Sequence, residues 1–324
     1  MLPYLWELVN NRVEHGPMTP NLFGALRGTR CGLIIGPCLI SCCQIRTCPV
    51  SVASNEWQRR IDRAEEVAAR YPSAAEILRF YAAVARFQAE FYRELESSEW
   101  IEKAASSSDP FALWLDQKVA GGLGRLLRVV EQSGPGKLGE AARELAARDE
   151  QSHLQLLSAF WENTFSENSG NAPAAGTDNF FARAYLQPYA VGIRTRANLR
   201  WNGPTAFVCP FCKRKPGLGV MRPLGEGSQR SLICSFCLAE WEFRRIVCPA
   251  CGEEDPLKLP VYAAEELQHV RVEACDSCKC YIKTVDLTKS GLGEPVVDEM
   301  ASVALDLWAS EHGYAKLQVN LLQL

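Results

Sequence analysis

From Trp57 onward, apolar positions return at the helical period: Trp57, Ile61, Ala64, Ala68 and Tyr71 share one face, and Pro72 ends the run. Ser73 with Glu76 three positions later has the form of a capping box. Ile77, Phe80, Tyr81, Val84, Phe87 and Phe91 then draw the stripe of a second helix. Asp109 before Pro110 predicts a third, carrying Trp114, Leu123, Leu126, Leu127 and Val130, with a bend at Gly121 and Gly122. SGPG at 133–136 separates it from a fourth, whose apolar side holds Leu138, Ala142, Leu145, Leu156, Phe160 and Trp161. Short connections between such stripes predict a helical bundle. Residues 166–178 are small and polar and read as a linker, after which FFARAYLQPYAVGIRTRANL returns to helix. Near the other end, YIKTVDL alternates as a strand does, and VVDEMASVALDLWASEHGY predicts a closing helix that stops near Gly313.

Residues 1–54 show no sustained period, and their five cysteines (Cys31, Cys38, Cys42, Cys43, Cys48) fit no iron–sulfur spacing, so a poorly ordered extension or a misassigned start is expected. The apolar run at 31–43 is shorter than the roughly 20 residues that cross a bilayer, so no membrane insertion is expected. A net charge of −3 gives no general attraction to polyphosphate. The local basic groups, Lys213–Arg214–Lys215 and Arg244–Arg245, lack interleaved aromatics, so no nucleic-acid partner is expected.

The chemistry lies in the cysteines. Eight of the 14 form four Cys-x-x-Cys pairs between 209 and 278, which is metal-ligand spacing and favours a reducing compartment, the cytoplasm. Such a turn aims two sulfurs at one ion, so four turns make two closed tetrahedral sites. The gaps of 21 residues from Cys212 to Cys234 and 23 from Cys251 to Cys275 match the interval of a zinc ribbon or rubredoxin-like unit. Only ten residues separate Cys237 from Cys248, and their LAEWEFRRIV reads as a connecting strand. The expected ligand sets are Cys209, Cys212, Cys234 and Cys237 for one ion, and Cys248, Cys251, Cys275 and Cys278 for another; a cross-braced pairing is the alternative. Four thiolates accept zinc or a single iron equally. Cys280 is a ninth thiol expected to pack or face solvent.

Glu150-x-x-His153 and Glu266-x-x-His269 have the spacing of half a bundle di-metal site, but both pairs are better read as polar side chains facing water. No nucleophile triad, phosphate loop or dinucleotide fingerprint is present, and the chain is not expected to be an enzyme.

The ordered series CPFC, ICSFCLAEWEFRRIVCPACG and EACDSCKCYIKTVDL, then PVVDEMASVALDLWASEHGY and Asn320-Leu321-Leu322, resembles the formate dehydrogenase accessory protein family, FdhE, over roughly residues 56–324. The resemblance implies a helical domain with two rubredoxin-like or zinc-ribbon units. It also implies a cytoplasmic factor acting on the catalytic subunit of a formate dehydrogenase before export, and it favours iron. Lys213 departs from the pattern, standing where glycine commonly follows the second cysteine; with the positive charge at 213–215, it predicts that the first site is the more labile.

The reading is therefore an α+β protein: extension (1–54), helical domain (55–200), first metal ribbon (201–247), and second ribbon with closing helix (248–324). Its expected function is that of an accessory protein or chaperone in formate dehydrogenase maturation, holding two metal ions per chain. The competing readings are a rubredoxin-like electron carrier and a zinc-ribbon adaptor for nucleic acid.

Overall fold

The computed structural model describes residues 52–96, 98–108, 110–111, 121–165, 177–203 and 205–324. Residues 1–51 of the expected extension, the Asp109 cap, Trp114 and most of the 166–178 linker lie outside them, while residues 52–54 begin the first helix.

Helix α1 (Val52–Arg70) is followed by α2 (Ala75–Glu96), against which it packs. The expected Ser73–Glu76 box gives way to a 3-10 turn, Pro72–Ala74, with Tyr71 at the N-cap making no side-chain cap bond. Proline at N1 fixes the backbone there without a capping side chain. A short α3 (Glu99–Ala105), not foreseen from the pattern, is capped by Ser98, which accepts from the Ile101 amide. Next come α4 (Leu123–Ser133), α5 (Gly136–Ala146) and α6 (Glu150–Phe165). The single helix expected over the last two is broken because Asp149 accepts from the Ser152 amide at 2.8 Å, starting a new helix.

Helix α7 (Thr177–Arg196) lies at the centre: every residue from Phe180 to Ile193 is buried. It is buried because α2, α3, α4 and α6 pack around it, and its otherwise apolar surface is interrupted by Arg183 and Gln187. Phe87, Phe91, Tyr185 and Tyr189 stack between α2 and α7, with Phe91 and Tyr185 centred 5.0 Å apart. Polar relays cross this layer. Gln88 Nε2 donates to Ala184 O at 2.7 Å and lies 3.3 Å from Gln187 Oε1, and Gln187 Nε2 donates to Phe236 O at 3.2 Å.

The sheet holds β1 (Pro216–Leu224), β2 (Gly227–Cys234), β3 (Glu240–Glu242), β4 (Val261–Ala263), β5 (Val270–Ala274), β6 (Cys280–Asp286) and β7 (Ala315–Lys316). Its order is β3-β2-β1-β6-β5-β4, with β7 also on β6. Both cysteine regions therefore share one sheet, joined where β1 and β6 run parallel from Gly219↔Thr284 to Met221↔Asp286. Gly219 is required at that seam, because a Cβ there would collide with the Thr284 hydroxyl.

The closing helix is two helices, α8 (Pro295–Ala301) and α9 (Val303–Glu311), which divide at Ser302. Ser302 directs its hydroxyl to the Glu299 carbonyl at 2.8 Å. Gly313 ends the segment with φ +79°, as expected of a glycine stop. Buried Asp298 on α8 takes Arg63 from α1 at 2.6 Å and His269 at 3.0 Å, tying helices to sheet. Beside it, buried Glu299 pairs with Lys283 at 3.0 Å and Lys316 at 2.6 Å.

Candidate metal centres

The four Cys-x-x-Cys turns share one backbone device. The first cysteine of each donates its amide to the carbonyl five residues on: Cys209 to Arg214 (2.7 Å), Cys234 to Ala239 (2.9 Å), Cys248 to Glu253 (2.9 Å) and Cys275 to Cys280 (2.9 Å). The residue after the second cysteine is left-handed in every case: Lys213 (φ 61°), Leu238 (φ 55°), Gly252 (φ 80°) and Lys279 (φ 57°). Only one of the four is glycine, so Lys213 does not set the first site apart as its sequence context suggests.

β1 and β2 bring the first turn against the second, and β5 leads the fourth back to the third. Cys209, Cys212, Cys234 and Cys237 form one group and Cys248, Cys251, Cys275 and Cys278 the other, with the sulfurs of each within 4.8 Å of one another. The grouping is sequential rather than cross-braced. The sulfur separations are 3.6 Å (Cys209–Cys237), 3.4 Å (Cys212–Cys234), 3.7 Å (Cys248–Cys278) and 3.7 Å (Cys251–Cys275). Four sulfurs about 2.3 Å from a central ion lie about 3.8 Å apart along a tetrahedral edge, so both groups fit a tetrahedral metal. Amides of Phe236 and Ala250 point at Cys234 Sγ (3.3 Å) and Cys248 Sγ (3.4 Å), as they do in metal knuckles. Cys280 contributes its carbonyl to the fourth turn and opens β6; its thiol belongs to neither group.

The two groups differ in surroundings. All four cysteines of the first are 0% exposed and belong to the same apolar core as the helices. Phe160 and Trp161 of α6 meet Phe236, between Cys234 and Cys237, edge to face at 5.4 and 5.9 Å. In the second group Cys251 is exposed and Cys278 half-exposed. This difference in burial runs against the order of lability expected from sequence, since the first group is enclosed by the core and the second opens to solvent.

Two buried arginines stand beside the first group. Arg214 does not join a basic surface: its guanidinium lies 3.8 Å from the Phe160 ring centre and 4.4 Å from that of Phe236, and donates to Phe160 O at 3.0 Å. Arg183 on α7 donates to Ser235 O (2.6 Å), Asn320 O (2.7 Å) and Val319 O (2.9 Å). Burial lowers both, Arg214 to about 10 and Arg183 to about 9, leaving them cationic at neutral pH. Four thiolates around a divalent ion carry a net charge of about −2, which two buried guanidinium groups offset. Burial pushes the Cys209 and Cys237 thiols up. It works against Cys234 and Cys251 too, but hydrogen bonds from neighbouring thiols and backbone amides hold both low.

The remaining sequence candidates separate from these centres. Glu150 is exposed and His153 Nε2 bonds Leu145 O at 2.8 Å, and Glu266 is exposed while His269 is held by Asp298. Arg244 pairs with Glu254 and Arg245 donates to Ser228, so the second basic group is also dispersed. Sequence reasoning passed over Arg183, which stands in an apolar helix with no local signal beyond its charge.

Helices followed by a sheet that carries two four-cysteine groups, each able to hold a metal ion, define an α+β protein of the tandem metal-knuckle kind. Residues 246–323 match the family model "FdhE, C-terminal domain". An FdhE homolog of Aquifex aeolicus is 31% identical over 198 residues, covering 61% of this chain and 67% of that protein. One of Haemophilus influenzae is 35% identical over 113 residues, a stretch that covers 35% of this chain and 37% of that protein. The crystal structure of the FdhE protein from Pseudomonas aeruginosa superposes with a TM-score of 0.63 at 25% identity, covering 83% of this chain and 96% of that one. The chain belongs to the FdhE family. Among the described residues, no helix is long and apolar enough to cross a membrane.

Proposed function

We propose that this protein is a cytoplasmic accessory factor for the maturation of a formate dehydrogenase, with no turnover of its own, and that it binds the catalytic subunit through its metal knuckles. Membership of the FdhE family carries this reading. Cys209, Cys212, Cys234 and Cys237 would hold one ion and Cys248, Cys251, Cys275 and Cys278 the other; the bound ions would staple the turns into rigid units. The helical segment (55–200) would serve as scaffold and the two knuckle units (201–247 and 248–324) as the docking face. Phe207, Val208 and Ile246, respectively 40%, 41% and 54% exposed, flank both cysteine groups in sequence and supply that face with apolar surface.

Deleting the gene should abolish formate dehydrogenase activity while its transcript persists, and affinity capture from the native host should recover the catalytic subunit. Activity that survives the deletion, with no catalytic subunit captured, would overturn the reading. The exposure of Cys251 favours one second reading, a rubredoxin-like electron carrier, since an iron centre exchanges electrons through a ligand at the surface. A reversible visible absorption band in the native-host protein, with an electron-transfer partner in place of the catalytic subunit, would support it.

A further inference from the structure

The sheet ends in two edge strands, β3 and β4, and the two are guarded differently. Strand β3 reads Glu240-Trp241-Glu242, so pairing with a like strand across a two-fold axis would set Glu240 against Glu242. Strand β4 reads Val261-Tyr262-Ala263 and carries no charge; all three residues are half-buried rather than covered. Ala274 donates to Pro260 O at 3.0 Å and the register pairs Tyr262 with Val272, so the main-chain groups of residues 260 and 262 face β5. Those of Val261 and Ala263 point away from the sheet, and among the described residues they have no hydrogen-bond partner. Pro260 does not blunt this edge, because its missing N–H falls on the β5 side. Such a row of free donors and acceptors, with no charge to guard it, is a template for a further strand.

We propose that β4 is a self-association edge: it pairs antiparallel with β4 of a second copy of this chain, making one continuous sheet across a two-fold axis. With the axis at Tyr262, Val261 stands opposite the second copy's Ala263 and Ala263 opposite its Val261, so both pairs exchange their free N–H and C=O groups. Tyr262 meets its own counterpart at the non-hydrogen-bonded position, where side chains approach most closely. It does so beside Trp308 of α9, whose ring centre lies 4.4 Å from its own. Charge fits the same orientation. The turn before β4 (Pro256–Lys258) ends in Lys258, and the turn after it (Glu265–Leu267) begins with exposed Glu265 and Glu266. Antiparallel pairing brings the first turn of each copy beside the second turn of the other, cation to acids, whereas parallel pairing would set like beside like. It also gives Leu257, 82% exposed, the second copy's Leu267 as an apolar neighbour. The contact is short, so the dimer is reversible and concentration-dependent.

The test is sedimentation velocity of the full, metal-loaded chain from about 1 to 200 μM. The mass should rise from 36.0 kDa towards twice that value. Ala263→Pro removes an outward N–H at an edge position that tolerates proline, and should weaken the dimer about tenfold or more. Lys258→Glu should weaken it about fivefold, and adding Glu266→Lys should restore it, which a mere folding defect would not allow. A single mass of 36.0 kDa across the range, or association that Ala263→Pro leaves unchanged, would overturn the proposal. Lys258→Glu that Glu266→Lys fails to rescue would overturn the antiparallel arrangement. No dehydrogenase enters the measurement, so its failure leaves the proposed function standing.

Discussion

Gln88 supplies the hydrogen bond that Pro188 cannot make. In an unbroken helix the amide of residue 188 would donate to Ala184 O, but proline has no N–H; Gln88 Nε2, reaching across from α2, donates to that carbonyl at 2.7 Å. A helix that is buried along its length has no water to do this. Gln88→Leu should therefore cost about 1–3 kcal/mol in denaturant unfolding. Adding Pro188→Ala should recover part of the loss by restoring the backbone donor, and strictly additive effects in the double-mutant cycle would contradict the pairing.

The buried first group and the open second group should react in a fixed order. Under timed alkylation with mass spectrometry, Cys251 should be modified first among the eight grouped cysteines, then Cys278, with Cys209, Cys212, Cys234 and Cys237 protected until the fold opens. Under a chelator, the ion of the second group should leave first. Early labelling at Cys209 would show that the helices do not seal the first group.

Left-handed backbone at Lys213 and Leu238 carries a steric cost that glycine would remove. Lys213→Gly should raise stability by about 0.5–1 kcal/mol without changing metal content, since the turn closes through the main chain. A loss of stability would place the contribution in the Lys213 side chain, which donates to Pro210 O at 3.2 Å.

Glu299 should make the C-terminal unit sensitive to acid. Burial alone would raise its carboxyl, but Lys283 and Lys316 hold it at about 2, below its ordinary 4.5. A lowered acid contributes stability that is full above about pH 4.5 and is lost as pH falls towards 2, here on the order of 3 kcal/mol. Unfolding free energies taken across that window should fall more steeply in the native chain than in Glu299→Gln, which is also less stable at neutral pH because it leaves buried Lys283 and Lys316 to share the single carboxylate of Asp306. Equal slopes would remove Glu299 from the account.

What the sequence disclosed follows from which signals are local. Cys-x-x-Cys spacing is a property of one turn, and the gaps between turns limit which pairs can meet, so the sequential grouping could be read before any fold. Helical stripes on α1, α2 and α6 were legible for the same reason. The breaks at Asp149 and Ser302 were not, because each depends on one side chain taking a backbone partner that a helix could equally have used. The hairpin of β1 and β2 also went unread, although Leu224-Gly225-Glu226-Gly227 marks its turn and Gly225 has φ +55°. Least legible was the contrast between the two cysteine groups. Burial of the first comes from α6, α7 and Arg183, far away in sequence, and from the adjacent Arg214, whose turn inward onto Phe160 and Phe236 nothing local announces.

Metal content distinguishes two closed cysteine centres from any other arrangement. Protein purified from its native host under reducing conditions, analysed by native mass spectrometry with elemental analysis, should carry two ions per chain. Cys234→Ser and Cys275→Ser should each lose about one, with the wider loss of stability in Cys234→Ser, whose group lies in the shared core. A single ion in the intact, fully reduced chain, or no loss in either variant, would contradict the two-centre structure from which the proposed function is argued.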